Sequence, residues 1–175
     1  MQQVIWKYGL LAGVILAALM FLTIPFIDTI GSLGIVLGYA TMLIGFSMIF
    51  FGIRAYRNGE GGGTVTFGRG FLIGLAITVI GSLCYVGAWE VISRKYMPDF
   101  AEKYAARIVA QARAEGMPAA ELAATQKKMD EFAVRYKDPW FRVPMTLLEP
   151  LPAGLILSLV AAGALRRKPG GGHAG

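Results

Sequence analysis

The decapeptide "MTLLEPLPAG", Met145 to Gly154, holds the residue best placed to do unusual chemistry. Glu149 is the only charge in an apolar run from Val143 to Leu165, and Pro150 and Pro152 follow it at once. No base lies within four residues of it, and the nearest, Arg142, is seven residues away, two turns along one helical face. At 1.5 Å per residue that separation is about 10 Å. A carboxylate at such a depth in hydrocarbon costs about 3 kcal/mol on insertion scales, so it needs a partner, a proton or a cation. Glu90 is the second acid at the edge of an apolar run, with Arg94 at the favourable i, i+4 helical spacing. Asp28 is the third, in a short connector where water can solvate it.

Two readings of Glu149 stay open on the sequence. In the first it pairs with Arg94, Arg142 or a tyrosine hydroxyl and holds the fold together. In the second it is a proton or cation site, with Glu90 and Tyr85 as neighbours. The prolines bear on both. Pro150 has no N–H for the carbonyl of Thr146, and Pro152 has none for that of Leu148. A proline also biases the residue before it away from helical angles, so the spacing predicts a kink or restart at Glu149. Broken helices at membrane depth persist where protein buries them or a wet cavity lines them.

Other chemistry is scarce. Cys84 is the single cysteine and lies in an apolar run, so no internal disulfide forms; His173 is the single histidine, in a terminal "GGGHAG". A histidine-built triad or metal site is excluded. Ser82, Ser93, the tyrosines and the arginines do not make a nucleophile–base set, and Glu90 with Glu149 is a thin ligand set for a divalent ion. We assign no catalytic residue, metal or cofactor. The linker "RNGEGGGTVTFGRG", Arg57 to Gly70, lacks the Gly-Lys-Ser/Thr ending of a phosphate loop and reads as a flexible connector.

The elements that position these residues are membrane spans. Of the 175 residues 55% are hydrophobic and only 16% charged, against about 25% charged in soluble domains. Spans are expected at about 6–27, 29–53, 70–92 and 143–165, each near the roughly 20 residues a helix needs to cross the hydrocarbon. The first is too long for a signal sequence, and "FLTIPF" offers no small-x-small cleavage site. Glycines recur through the spans, among them Gly38, Gly45 and Gly52 at seven-residue intervals after Gly31. Close backbone approach at small residues is how membrane helices associate. The expected fold is therefore all-α: a four-helix transmembrane bundle in a single membrane domain spanning 1–175.

Between spans three and four lies a polar segment expected to form an amphipathic helical hairpin at about 97–139, outside the membrane. Asp99 can cap its first helix, which Gly116 ends. Phe100, Tyr104, Ile108 and Ala112 mark one face. Pro118 suits the first turn of the second helix, whose stripe runs from Leu122 through Met129 and Phe132 to Tyr136 until Pro139.

The formal charge of +6 does not indicate nucleic acid, because no basic stretch interleaves stacking aromatics away from a span flank. Lys7, Arg54, Arg57, Arg69, Arg166, Arg167 and Lys168 share one side with a single acid, Glu60. The whole polar segment from Ser93 to Arg142 carries ten bases and seven acids. Density of bases, and Lys7 ahead of the first span with Asp28 after it, orient the termini to the cytoplasm and the hairpin to the periplasm. The expected partners are membrane lipid and either a membrane-protein partner or a second copy.

The segments from Tyr85 to Glu90 (Tyr-Val-x-x-Trp-Glu), Pro98 to Phe100 (Pro-Asp-Phe) and Glu149 to Pro152 (Glu-Pro-Leu-Pro) resemble those of a bacterial membrane family known only as a domain of unknown function. The similarity runs from Trp6 to Lys168. It implies a four-span protein of Gram-negative inner membranes and brings no activity or catalytic residue. A structural protein, or one accessory to a partner complex, is the leading expectation. A small transporter or ion-responsive protein using Glu149 is the alternative, and a membrane-embedded enzyme comes third.

Overall fold

A computed structural model describes residues 1–26 and 33–167; Asp28, Gly31, Lys168 and His173 lie outside the described residues. The protein is all-α, and no strand forms among the described residues. The helices are α1 (Gln2–Thr23), α2 (Leu33–Asn58), α3 (Phe67–Lys95), α4 (Phe100–Ala114), α5 (Ala119–Tyr136), α6 (Pro139–Leu148) and α7 (Pro150–Leu165), with a 3-10 turn at Ile24–Phe26. Four stretches are long and apolar enough to cross a membrane: Gln2–Thr23, Val36–Asn58, Phe67–Lys95 and Pro139–Leu165. They run past the uncharged runs because charged residues near a span end do not stop a helix. Arg54 and Arg57 continue α2, and Glu90 and Arg94 continue α3.

The chain divides into two compact units, Met1–Ala88 with Leu147–Gly175, and Trp89–Thr146. In the first, Leu16, Phe46, Ile49, Ile53, Ile73 and Ile77 form a core closed to solvent. Its outer faces are equally apolar, with Val14, Leu22, Leu43, Leu83, Ile156 and Val160 exposed. A helix apolar all round suits lipid as its solvent. The chain is a multi-pass membrane protein on these grounds.

Small residues set how closely these helices approach. A Cβ on Gly13 would meet Cys84 Cβ at 2.5 Å, and one on Gly74 would meet Ser158 Oγ at 2.7 Å. The α2–α3 connector is more ordered than a flexible linker. Gly61 and Gly63 donate to the carbonyls of Tyr56 and Arg57 at 2.8 Å, and Gly62 and Gly63 adopt positive φ that side chains disfavour.

In the second unit α4 and α5 pack through Ala101, Ala105, Ala133 and Tyr136. The α5 stripe follows the sequence pattern. The α4 face is centred one residue further along, on Ala101, Ala105 and Val109, and Tyr104 stays exposed. Alanines allow the closer approach, and the larger Phe100 and Tyr104 rings pack beside Phe132 and Tyr136 at the edge. Asp99 occupies the N-cap position without a side-chain capping bond; its carboxylate pairs with Lys103 at 3.0 Å. Gly116, at φ +78°, follows the end of α4 as expected. Pro118 is the N-cap of α5, one position earlier than its first turn.

Candidate functional site

Glu90 and Glu149 both find partners, each within its own unit. In the second unit Glu90, half-buried, is the centre of a charged cluster. The Arg142 guanidinium grips it with two bonds, Nε to Oε1 at 2.6 Å and Nη2 to Oε2 at 2.8 Å, and Nη1 donates to the Tyr136 carbonyl at 3.0 Å. Arg94 adds a third bond to Oε2 at 2.8 Å from a largely exposed side chain. Arg142 itself is only 6% exposed. Its planar fork is made for two-point recognition of a carboxylate. The Arg94 bond is the i, i+4 pair legible in the sequence. The Arg142 bonds span 52 residues, and no local spacing signals them.

Aromatic rings build the wall of this cluster. Trp89 Nε1 donates to Tyr136 Oη at 2.7 Å, and its ring meets Phe100 edge-on with centroids 4.8 Å apart. Tyr136 therefore joins α3, α5 and α6 by its carbonyl and its hydroxyl. A small cavity lined by Ser93, Met97, Phe100, Glu102, Tyr136 and Arg142 lies beside them. The charges around it are already matched, Glu102 with Lys137 at 2.8 Å and Arg142 with Glu90.

In the first unit Glu149 has a different environment. Tyr85 Oη donates to its Oε2 at 3.0 Å. The carboxyl is exposed on a surface whose neighbours along the chain, Leu148, Pro152 and Ile156, are exposed and apolar. Of the partners weighed from the sequence, the tyrosine hydroxyl is the one that reaches it. The prolines break the helix as their missing N–H groups require, with α6 ending at Leu148 and α7 opening at Pro150. The bias away from helical angles is not realised, since Glu149 keeps φ −68° and ψ −53°. The interruption is thus a loss of hydrogen bonds at a residue whose own backbone stays helical. Pro144, inside α6, adds another missing donor that the reading of "EPLP" overlooked.

Residues 7–167 match the model of a family described as "Protein of unknown function (DUF4199)". The chain belongs to this family. No curated protein and no solved structure matches it. The DUF4199 match brings no activity, as the resemblance implied, so the side chains must speak for themselves.

In this DUF4199 protein the Tyr-Val-x-x-Trp-Glu segment has a physical meaning. Tyr85 holds Glu149 in one unit, while Trp89 and Glu90 organise the other. One further polar contact was not singled out from the sequence. Thr78 and Ser158 hydroxyls lie 3.3 Å apart in the core of the first unit, and the one proton of each is shared between that contact and a glycine carbonyl four residues earlier. One turn along α3, the buried Ser82 hydroxyl has no hydrogen-bond partner among the described residues. Among those residues no group of three or more His, Cys, Asp or Glu could hold a metal ion.

Proposed function

We propose that this protein is a non-enzymatic component of a bacterial inner membrane, accessory to a partner complex that it meets through the apolar surface at the start of α7, where Glu149 is the N-cap. The observation that carries this is the setting of that carboxyl: exposed, on an apolar surface, with Tyr85 as its hydrogen-bond donor. Lipid tails offer such a group nothing. A partner helix with a donor or a base at the same depth satisfies it, and hydrogen bonds of this kind tie membrane helices together. The commitment of Glu90 to Arg142 and Arg94 supports the same reading, because it leaves the second acid occupied by the fold.

The test is the size of the assembly extracted in mild detergent. Wild-type protein runs larger than a monomer, and Glu149→Ala shifts it toward the monomer while Glu149→Gln, which keeps a hydrogen-bonding group, shifts it less. A wild-type lone monomer, or a complex indifferent to Glu149→Ala, rejects the proposal. The orientation that goes with it has cytoplasmic termini and a periplasmic hairpin at 97–139. Single cysteines introduced in α5 then react with an impermeant maleimide added to intact spheroplasts, and labelling only after lysis would reverse the topology.

The same exposed carboxyl also supports a second reading, a proton- or cation-responsive transporter. Flux in liposomes that survives Glu149→Gln unchanged sinks it.

A further inference from the structure

One end of the first unit carries several bases and a single acid, Glu60. Arg54 lies near the end of α2, Arg69 near the start of α3, and Arg166 and Arg167 directly after α7. All four are exposed, and among the described residues none has an ion-pair partner. Glu60, the acid of this sequence region, pairs with the Met1 amino group. Arg57 donates to its neighbour Asn58 at 3.1 Å and meets no carboxylate among the described residues. In the second unit Lys103, Lys137, Arg94 and Arg142 are each set against an acid, while Lys95, Arg107, Arg113, Lys127, Lys128 and Arg135 have no ion pair among the described residues.

The backbone fixes these bases at one place. Val65 and Arg167 exchange two hydrogen bonds, at 3.1 Å and 2.9 Å, in an antiparallel bridge between the α2–α3 connector and the segment after α7. Val65 is buried in the core and anchors the bridge. The Arg69 N–H meets Thr66 Oγ1 at 3.3 Å at the start of α3. The ends of three spans are thus held together with unpaired guanidinium groups around them. Guanidinium forks match phosphate oxygens in two-point bonds, and basic clusters at span ends attract anionic headgroups.

We propose that this end is a binding site for the headgroup phosphate of anionic phospholipids, with Arg69, Arg166 and Arg167 as its contacts and Arg54 and Arg57 supplying supporting charge. The site is independent of the Glu149 reading, which concerns another surface.

The test is thermal stability of the full chain in neutral micelles, titrated with phosphatidylglycerol, phosphatidylcholine or inorganic phosphate. Phosphatidylglycerol raises Tm at concentrations where phosphatidylcholine does not, as a ligand of the folded state must. Each of Arg69→Gln, Arg166→Gln and Arg167→Gln weakens the apparent affinity about fivefold, the size of one base at an anionic surface. Arg107→Gln, on α4, leaves it unchanged. Raising ionic strength on the wild-type protein reduces the effect, which keeps the test decisive if a variant misfolds. Equal stabilisation by phosphatidylcholine, insensitivity to salt, or no change in the three variants overturns the site. Saturation by inorganic phosphate alone overturns the lipid assignment in favour of a free-anion site.

Discussion

Arg142 and Arg94 both reach Glu90, yet their surroundings make them unequal. Arg142 is buried and forms two bonds to the carboxylate, so its removal leaves Glu90 without its main counter-charge. Arg142→Ala should cost about 2–3 kcal/mol, the scale of lost hydrogen bonds to a charged group, because the half-buried Glu90 keeps Arg94. Arg94 is exposed, and Arg94→Ala should cost less than about 1 kcal/mol. Denaturation followed by the fluorescence of Trp89, which sits beside the cluster, separates the two; equal losses would contradict the assigned roles. Arg142→Lys keeps the charge but not the fork and should fall between them. From the sequence, Glu90 with Arg94 was legible because their spacing is local. Arg142 as the dominant partner was not, because any base in the chain could have closed a 52-residue separation.

At the scale of helices, glycine positions divide into those that permit contact and those that face outward. Gly154 lies against Thr78, so closely that a methyl group there must displace it, whereas Gly163 has nothing within 4 Å. Gly154→Ala should destabilise by about 1–3 kcal/mol, as overpacking does. Gly163→Ala should be neutral or stabilising by up to about 1 kcal/mol through helix propensity. Unfolding in detergent with increasing denaturant measures both, and similar losses would show that the α3–α7 contact does not depend on Gly154. The glycine periodicity was visible in the sequence; which glycines face a neighbour depends on rotation of each helix about its axis. The α4–α5 pair supplies a pH dependence. The Lys137 ammonium beside Glu102 holds that carboxyl below its usual range. With the folded pKa below the unfolded one, the contribution is full at neutral pH and is lost as pH falls through the folded value. An exposed pair of this kind contributes about 0.5 kcal/mol. Tm measured across the acid range should show a small decline that Lys137→Gln removes, and an unchanged decline in that variant would assign it elsewhere.

In the membrane-spanning first unit the telling feature is an exterior as apolar as the interior. Leu83 is exposed near the middle of α3, where a soluble protein would accept any polar side chain. In lipid, Leu83→Arg should cost about 3 kcal/mol and reduce the membrane-inserted fraction. Carbonate extraction of membranes reads that fraction, and full retention of the variant would argue that this face is covered by protein or water. Ser82→Ala probes the interior in the opposite sense. Its hydroxyl is buried without a hydrogen-bond partner among the described residues, so its loss should leave stability unchanged or raise it slightly.

By itself the sequence determined the four apolar stretches, the all-α class, the polar helices between the third and fourth, and the break at Pro150. Each is a property of neighbours along the chain: length of an apolar run, a 3.6-residue period, a missing N–H. Tertiary structure alone decided that Arg142 goes to Glu90 and Tyr85 to Glu149, that α4 buries alanines with its largest rings at the edge, and that Val65 joins Arg167. Those outcomes depend on which helix faces turn toward one another, and the chain encodes that only through packing of residues far apart in sequence.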